Sequence, residues 1–211
     1  MSLVSTGRIF IRDGAKHMKV MNRMKEKIEQ LLLSTERHGI CDLIAHMEME
    51  GFFEAPCSGA KHLSKEGGLA EHSLNVYEIM KRLNKTLDTR YTDDTIILCA
   101  ILHDLGKMGD HGKPNYVPYI LKSGKQSDVT PYKTNPDLSY VDHEIRSVTI
   151  ARMYISLTEE EEQAILWHNG LYGIFKYEIS GKETPLYLLL HMADMWASRV
   201  VEKEYNTDET V

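Results

Sequence analysis

The sequence has few cysteines and no long apolar run. Cys41, Cys57 and Cys99 form an odd set without paired spacing, so we expect no disulfide framework and a reducing compartment. No stretch approaches the ~20 apolar residues of a membrane span, and the N-terminus lacks the apolar core of a signal peptide. These absences predict a soluble, cytoplasmic protein without a membrane partner.

An excess of basic charge is also missing. Lysine and arginine number 25 against 31 aspartates and glutamates, so the formal net charge is -6. Non-specific nucleic-acid binding normally needs a basic stripe, and this composition therefore argues against a broad nucleic-acid surface. A local basic pocket remains compatible with the charge, because a net value says nothing about how charges are distributed.

The chain contains no internal repeat, no low-complexity tract and almost no strand-like alternation. Its 211 residues fit one domain, and apolar residues recur at helical spacing in several segments. We predict an all-α fold, with an N-terminal helical segment over residues 1–55 packed on a core over residues 56–205. Exposed helical faces leave room for a homodimer. The predicted helices cover residues 17–36, 40–50, 69–87, 95–105, 141–157, 158–169 and 185–204.

Residues 108–140 interrupt the helical pattern. Glycine and proline recur there at a density that no helix tolerates. We therefore predict a long irregular loop between central helices, with room for a short hairpin, and loops of this length are often functional. Its lysines and tyrosines, Lys113 among them, would suit a loop that stacks a base and holds a phosphate, although many loops have this composition without a ligand.

A His-Asp pair ends the most apolar predicted helix of the chain. His103 and Asp104 follow the run 95–102, where an unpaired buried carboxylate would be costly. An isolated His-Asp dipeptide more often caps a helix or forms an ion pair. Here, however, His72 lies on the preceding helix and Lys107 follows one turn later. This context favours a ligand-binding function.

The order of these residues resembles the HD-domain superfamily of metal-dependent phosphohydrolases. That pattern is one histidine, a His-Asp pair and a distant aspartate, each on a different helix. The resemblance covers most of residues 56–200, and segment 67–76 is similar to HD domains of certain bacterial and phage-associated hydrolases and of a 3′-to-5′ exoribonuclease group. It implies an HD-domain helical bundle around a metal site. The matching residues are His72, His103, Asp104 and Asp194.

The chemistry of these side chains supports a metal site independently. Imidazole nitrogen and carboxylate oxygen together suit a divalent ion such as Mn, Fe, Co, Ni or Zn, with Mg as a further candidate. Four ligands leave coordination positions open for water and a phosphate oxygen, as in catalytic sites. A bound ion can lower the pKa of its water from ~15.7 toward ~7. We therefore expect a catalytic centre that includes Asp104.

Two further histidines extend the resemblance. His143 and His168 lie between the His-Asp pair and Asp194, and two-metal HD phosphodiesterases have a similar order of ligands. The resemblance implies a second ion, held by His143, His168 and a bridging Asp104. In the alternative interpretation, both histidines line the pocket and contact phosphate, so the number of ions stays at one or two.

Lys107 is the predicted catalytic contact to phosphate. The resemblance to an HD-x-x-Lys pattern implies this, and a lysine one turn after the metal pair can reach a phosphate oxygen. The alternative is a solvated cation at a helix C-terminus. His191 shares a helix face with Asp194; it could orient a metal ligand there, but we interpret it as an ordinary core histidine. Weaker candidates for substrate contact are His62, Lys113, Arg146 and Asn169.

The sequence thus predicts a metal-dependent phosphohydrolase whose partner is a small-molecule phosphate ester, a nucleotide or short oligonucleotide. The nucleotide part follows from the resemblance alone. Whether the substrate is a monoester or a diester stays open. Three alternatives also stay open: an HD-fold module that binds a nucleotide without turnover, a di-iron HD-type oxygenase, and an interaction domain whose helices are joined by a metal.

Overall fold

The computed structural model describes residues 6–172 and 177–203. Helices dominate these residues, as the all-α prediction requires, and none of the helices described is both long and apolar enough to cross a bilayer. The helices are α1 (Thr6–Ser34), α2 (Ile40–Met49), α3 (Gly68–Thr86), α4 (Asp93–Leu102), α5 (His143–Tyr154), α6 (Glu159–Trp167) and α7 (Pro185–Trp196).

Helix α4 lies at the centre of the bundle. It begins after Thr92, whose hydroxyl accepts a hydrogen bond from the Thr95 amide, and every residue from Ile96 to Leu102 is buried. A helix that is apolar on all sides needs neighbours on all sides. Helices α1, α3 and α6 supply them, while α7 packs on α3 and α6, and α5 packs on α6. The C-terminal end of α4 therefore lies deep inside the protein.

The N-terminal helices pack on this core. Ile28 and Leu32 of α1 and Leu43 and Met47 of α2 are fully buried, where α1 contacts α3 and α4 and α2 contacts α5. Helix α1 begins at Thr6, well before the predicted start near residue 17. A single glycine such as Gly14 costs a helix only about 1 kcal/mol, so it does not end one. The division into segments 1–55 and 56–205 stays a prediction.

The predicted cap of α6 forms a capping box that also ties the N-terminal region to the core. The Thr158 hydroxyl accepts a hydrogen bond from the Glu161 amide, and the Glu161 carboxylate accepts one from the Thr158 amide. The same buried carboxylate pairs with Arg37, 3.0 Å away, in the turn between α1 and α2. One side chain thus satisfies a helix end and an ion pair.

The segment predicted as a long loop is irregular except for two small antiparallel ladders. Strand β1 (Gly109–Asp110) pairs with β2 (Lys113–Pro114), and β3 (Tyr116–Pro118) pairs with β4 (Tyr132–Thr134). An isolated bridge joins Ile120 and Gln126 within the segment between β3 and β4. The chain returns close to its starting point, so α5 begins beside the end of α4.

Two of the helix ends that differ from the predictions lie next to predicted metal ligands. Helix α4 ends at Leu102, before the predicted end at 105, and a 3-10 turn follows over Leu105–Lys107. Helix α7 ends at Trp196 and widens into a π-helical turn over Ala197–Val201. The predicted end of this helix, Glu204, lies outside the described residues. Apolar periodicity reports the buried face of a helix and is insensitive to such changes in hydrogen bonding.

Gly106 permits the close contact between the 3-10 turn and α5. Its amide donates to the Ser147 hydroxyl at 2.8 Å, and a Cβ at this position would lie 2.4 Å from the His143 carbonyl oxygen. No side chain fits at that distance from backbone atoms. The glycine therefore keeps the first turn of α5 against the segment that follows α4.

We expect Gly106→Ala to lower the free energy of unfolding by about 1–3 kcal/mol, because the added methyl group must push α5 away. Urea denaturation measures this change. Ser147→Ala is the matched control: it removes the hydrogen bond without adding volume, and should cost about 1 kcal/mol. Wild-type stability of Gly106→Ala would contradict the packing described here.

Candidate metal centre

Six side chains from five parts of the chain converge at the end of α4. One comes from α3, two follow α4, one begins α5, one follows α6 and one belongs to α7. The structure thus brings together all residues predicted as metal ligands, although their binding of an ion stays a prediction. These residues are His72, His103, Asp104, His143, His168 and Asp194.

The Asp104 carboxylate lies at the middle of the cluster and faces a different pair of imidazoles with each oxygen. Its Oδ2 is 3.4 Å from Nε2 of His103 and 3.6 Å from Nε2 of His72. Its Oδ1 is 3.2 Å from Nε2 of His143 and 3.3 Å from Nε2 of His168. This arrangement is the one expected of a carboxylate that bridges two ions.

The ligand atoms form two overlapping groups around this carboxylate. In the first group, the Nε2 atom of His72 lies 3.1 Å from Oδ1 of Asp194 and 3.2 Å from Nε2 of His103. The second group contains His103, Asp104 and His168. Within each group the potential ligand atoms lie within 4.8 Å of one another, so a single ion could contact all of them.

The donor set fits a divalent cation. Asp104 Oδ1 is buried, yet no group in the described part of the chain is aligned to donate a hydrogen bond to it. An unpaired buried carboxylate oxygen is costly, and a cation between it and the imidazoles would remove that cost. The two Nε2 atoms of His72 and His103 also face each other, as ligands of one ion do.

Hydrogen bonds at the other ring nitrogens direct the Nε2 atoms toward the centre. Nδ1 of His103 donates to the Ala100 carbonyl at 2.9 Å, and Nδ1 of His168 donates to the Ile165 carbonyl at 2.8 Å. A carbonyl oxygen only accepts, so each of these Nδ1 atoms carries the proton in the neutral ring. The Nε2 lone pairs are therefore available for metal binding.

The same local feature places both of these histidines. His103 and His168 are the residues that directly follow α4 and α6, and each retains a helical backbone conformation. Each ring donates to the carbonyl three residues back, in the last helical turn, where carbonyl groups lack a partner along the helix. The end of a helix thereby fixes the orientation of a ligand.

Lys107 is the nearest cation to the centre. Its Nζ lies 2.6 Å from Asp104 Oδ2, and only 14% of its side chain is exposed. Burial opposes ionisation of Asp104, but Lys107 and His103 outweigh it and hold the pKa of this carboxyl well below its usual range. Burial likewise opposes the charge on Lys107, yet the Asp104 carboxylate raises the pKa of the ammonium above its usual range.

A cleft of about 900 Å³ opens beside the centre. Asp194 and Lys107 are among the residues that line it, so a molecule in the cleft would reach the cluster. Besides Lys107, the lining includes four basic side chains, together with the carboxylates of Asp128 and Glu202. Those basic residues are Lys61, Lys65, Arg199 and Lys203.

The four weaker substrate candidates occupy different places. His62 and Asn169 line the cleft, and Asn169 donates to Glu144 at 2.6 Å. Lys113 and Arg146 do not line it: the Lys113 ammonium donates to the Asp137 carbonyl, and the buried Arg146 donates to the Ser139 carbonyl. Their substrate contact stays a prediction that the lining of the cleft does not support.

His62 and Cys57 form a neutral pair at the cleft wall. Their Nε2 and Sγ atoms lie 3.3 Å apart. Burial raises the pKa of the Cys57 thiol to about 11, and burial, reinforced by His72 and Lys107, lowers the pKa of His62 to about 4. The thiol therefore donates to the imidazole at neutral pH. This uncharged His62 can contact a substrate but adds no positive charge.

Three features of the site were missed in the sequence. His191, interpreted as a core histidine, lines the cleft and donates from Nδ1 to the His168 carbonyl at 2.7 Å. Glu202 lies against His72, and Tyr172 stacks with Arg199 at the rim. The spacing of three residues between His191 and Asp194 was the available signal for the first. The other two depend on segments distant in sequence or irregular in conformation.

A known protein family matches this chain. The model of the family described as HD domain matches residues 69–194, which is more than half of the chain and includes all six predicted ligands. Neither the curated proteins nor the solved structures contain a match to this chain. The specific similarity to phage-associated hydrolases and exoribonucleases therefore stays a prediction.

We expect the protein purified without chelator to retain divalent metal, and Asp104→Asn to lose it, because one substitution removes charge from both halves of the centre. Metal analysis after dialysis measures the content. Asp194→Asn should weaken binding in one half only, and His168→Ala in the other. If Asp104→Asn kept the wild-type metal content, Asp104 would not be the bridging ligand.

Proposed function

This chain belongs to the HD-domain family, and we propose that it is a divalent-metal-dependent phosphohydrolase acting on a nucleotide or short oligonucleotide. The family implies metal-dependent hydrolysis in general, whereas the substrate is our proposal. The observation that carries it is the position of Lys107, a buried ammonium at the junction between the histidine–aspartate cluster and a cleft with basic walls.

A bound divalent ion would supply a Lewis acid for a phosphoryl oxygen and a water acidic enough to act as nucleophile. The protein supplies the rest. Asp104 and Asp194 provide the negative charge that holds a cation, and the imidazoles fix its position within the cluster. The end of α4, buried among neighbouring helices, keeps these groups in place without reorganisation during the reaction.

Lys107 is suited to stabilise the negative charge of a phosphate group. Its ammonium donates a hydrogen bond to Asp104 Oδ2, an oxygen that could also bind a metal ion. A cation at that oxygen would weaken the ion pair between Asp104 and Lys107. The side chain also lines the cleft, where a substrate phosphate can accept its hydrogen bonds. In this proposal Lys107 contacts the phosphoryl oxygens that gain charge in the transition state.

The rim of the cleft supports a nucleotide rather than a simple phosphate ester. The Arg199 guanidinium lies 4.4 Å from the centre of the Tyr172 ring, and 65% of Tyr172 is exposed. Nucleobases stack on both aromatic rings and guanidinium planes. Lys61 and Lys65 on the same cleft could bind further phosphates, which fits a substrate with one or more nucleotides.

The alternatives predict different measurements. A binding module without turnover would return an intact nucleotide after long incubation with Mn²⁺. An oxygenase would consume oxygen with Fe²⁺. An interaction domain whose helices are held together by a metal would unfold when the metal is removed by a chelator, and it would show no turnover. The part-buried Lys107 ammonium beside the cleft favours an anionic substrate, and the oxygen measurement then separates oxidation from hydrolysis.

The activity test is a screen of Mn²⁺-loaded protein with aryl phosphate monoesters and diesters, nucleotides and short oligonucleotides. We expect Lys107→Ala to lower kcat/KM about 10²–10³-fold, because a charge that contacts the transition state is lost. Lys27→Ala is the matched control, since Lys27 is exposed and pairs with Glu78 on the surface. Turnover that survives in both Lys107→Ala and Asp104→Asn would contradict the proposal.

The stacking site has its own test. We expect Tyr172→Ala to raise KM for a nucleotide about 5-fold or more, because base stacking contributes ~1–3 kcal/mol per base. An aryl phosphate too small to reach the rim should keep its wild-type KM. Tyr172→Phe retains the aromatic ring and should behave as wild type with both. Equal effects of Tyr172→Ala on both substrates would argue against nucleobase recognition there.

A further inference from the structure

Glu202 is a buried carboxylate outside the predicted ligand set. Only 8% of the residue is exposed, and its Oε1 and Oε2 atoms lie 2.9 and 3.0 Å from Nδ1 of His72. The Asn75 amide donates to Oε1 at 2.9 Å, and Asn75 lies three residues after His72 on α3. One helix therefore holds both the imidazole and the amide that orients the carboxylate.

We propose that Glu202 is a positioning residue that fixes the orientation and tautomer of His72, so that Nε2 of this ring binds the divalent ion in the half of the centre shared with Asp194. This inference rests on the metal centre of the proposed function. The carboxylate accepts a hydrogen bond from Nδ1–H of His72, and the ring is then held with Nε2 toward Asp194, 3.1 Å away. Asn75 acts through Glu202 in the same way.

The partner of His72 differs in kind from the partners of two other imidazoles. The rings of His103 and His168 donate to neutral carbonyl oxygens, whereas the ring of His72 donates to a charged carboxylate. A carboxylate partner makes an imidazole a stronger metal ligand. Unlike His103 and His168, His72 has no helix-end carbonyl to orient it, because it lies in the second turn of α3.

The other half of the centre has a looser counterpart. Oε2 of Glu144 lies 3.2 Å from Nδ1 of His143, but no hydrogen bond reaches this oxygen among the described residues. Its Oε1 instead accepts a hydrogen bond from Asn169 at 2.6 Å. Each half of the centre thus has one carboxylate beside an imidazole, and only the Glu202 carboxylate is aligned with its ring.

The π-helical turn explains how Glu202 reaches His72. In a regular helix a residue eight positions after Asp194 would point about 80° away from it, at about 100° per residue. The turn over Ala197–Val201, closed by the Glu202 amide bonding to the Ala197 carbonyl, adds one residue and rotates Glu202 back by about 100°. Asp194 and Glu202 consequently face the same imidazole from one continuous segment.

The experiment measures metal affinity of the chelator-stripped full chain by competition with a coloured chelator, using Zn²⁺ and Mn²⁺ separately. We expect Glu202→Gln to weaken ion binding about 10-fold and Glu202→Ala up to about 100-fold, the range found when partners of metal-binding histidines are removed. Asn75→Ala should weaken it less, because the carboxylate remains. Turnover lost in Glu202→Gln should recover at high metal concentration.

Two variants provide controls. Glu78→Gln changes an exposed carboxylate on the same helix and should bind metal like wild type. Glu144→Gln should weaken metal binding less than Glu202→Gln does, since the Glu144 carboxylate is not aligned with a histidine ring. Thermal unfolding of each metal-free variant checks whether the fold is intact.

The outcomes separate this inference from the proposed function. Wild-type metal affinity in Glu202→Gln, together with loss of metal in Asp104→Asn, would overturn the positioning role and leave the metal centre intact. A lower metal-free melting temperature of Glu202→Gln with unchanged affinity would also overturn it, because the residue would then be structural. Retention of metal by Asp104→Asn would instead contradict the role of Asp104 as the bridging ligand, on which the proposed function rests.

Discussion

The arrangement of the core helices depends on one buried carboxylate. Asp104 is 1% exposed, at a depth where an isolated negative charge would be far too costly. It is tolerated because Lys107 and the imidazoles surround it. Most of these groups lie at a helix end: Lys107 and His103 follow α4, His143 begins α5 and His168 follows α6. The charge therefore constrains where α4 ends, where α5 begins and how α6 lies.

The neighbouring groups divide into those that hold a cation and those that hold the ligands. In His72, His103 and His168 the Nε2 atoms face inward, while the Nδ1 atoms donate to Glu202 or to backbone carbonyls outside the cluster. A ring fixed at one nitrogen has little freedom at the other, so the cluster is ordered before any ion binds. Such preorganisation favours a catalytic centre, since its groups need not rearrange as charge develops.

Much of this site could be predicted from the sequence, because its ligands occur in short, ordered motifs. The His-Asp pair after an apolar helix carries a physical signal of its own, and the resemblance extends it to His72 and Asp194. The apolar run of α4 likewise predicts a buried helix. These features are local, so they can be recognised in the sequence without knowledge of the tertiary contacts.

The rest depends on geometry that spacing does not encode. Glu202 lies eight residues beyond Asp194, which in a regular helix would place it on another face, and only the π-helical turn brings it back. Lys113 and Arg146 have suitable charges, yet the small strands and the start of α5 direct both toward backbone carbonyls. Charge and composition alone therefore do not identify substrate contacts in an irregular loop.

The difference in charge between the metal centre and the cleft favours a phosphate ester as the substrate. The cluster gathers negative charge at Asp104 and Asp194, which suits a cation, whereas the outer wall gathers lysines and an arginine, which suit an anion. Lys107 belongs to both environments, since it is paired with Asp104 and also lines the cleft. A phosphate ester can satisfy both, because its oxygens can bind a metal ion and an ammonium at the same time. A neutral substrate would use the metal site but would have no charge to offer the Lys107 ammonium.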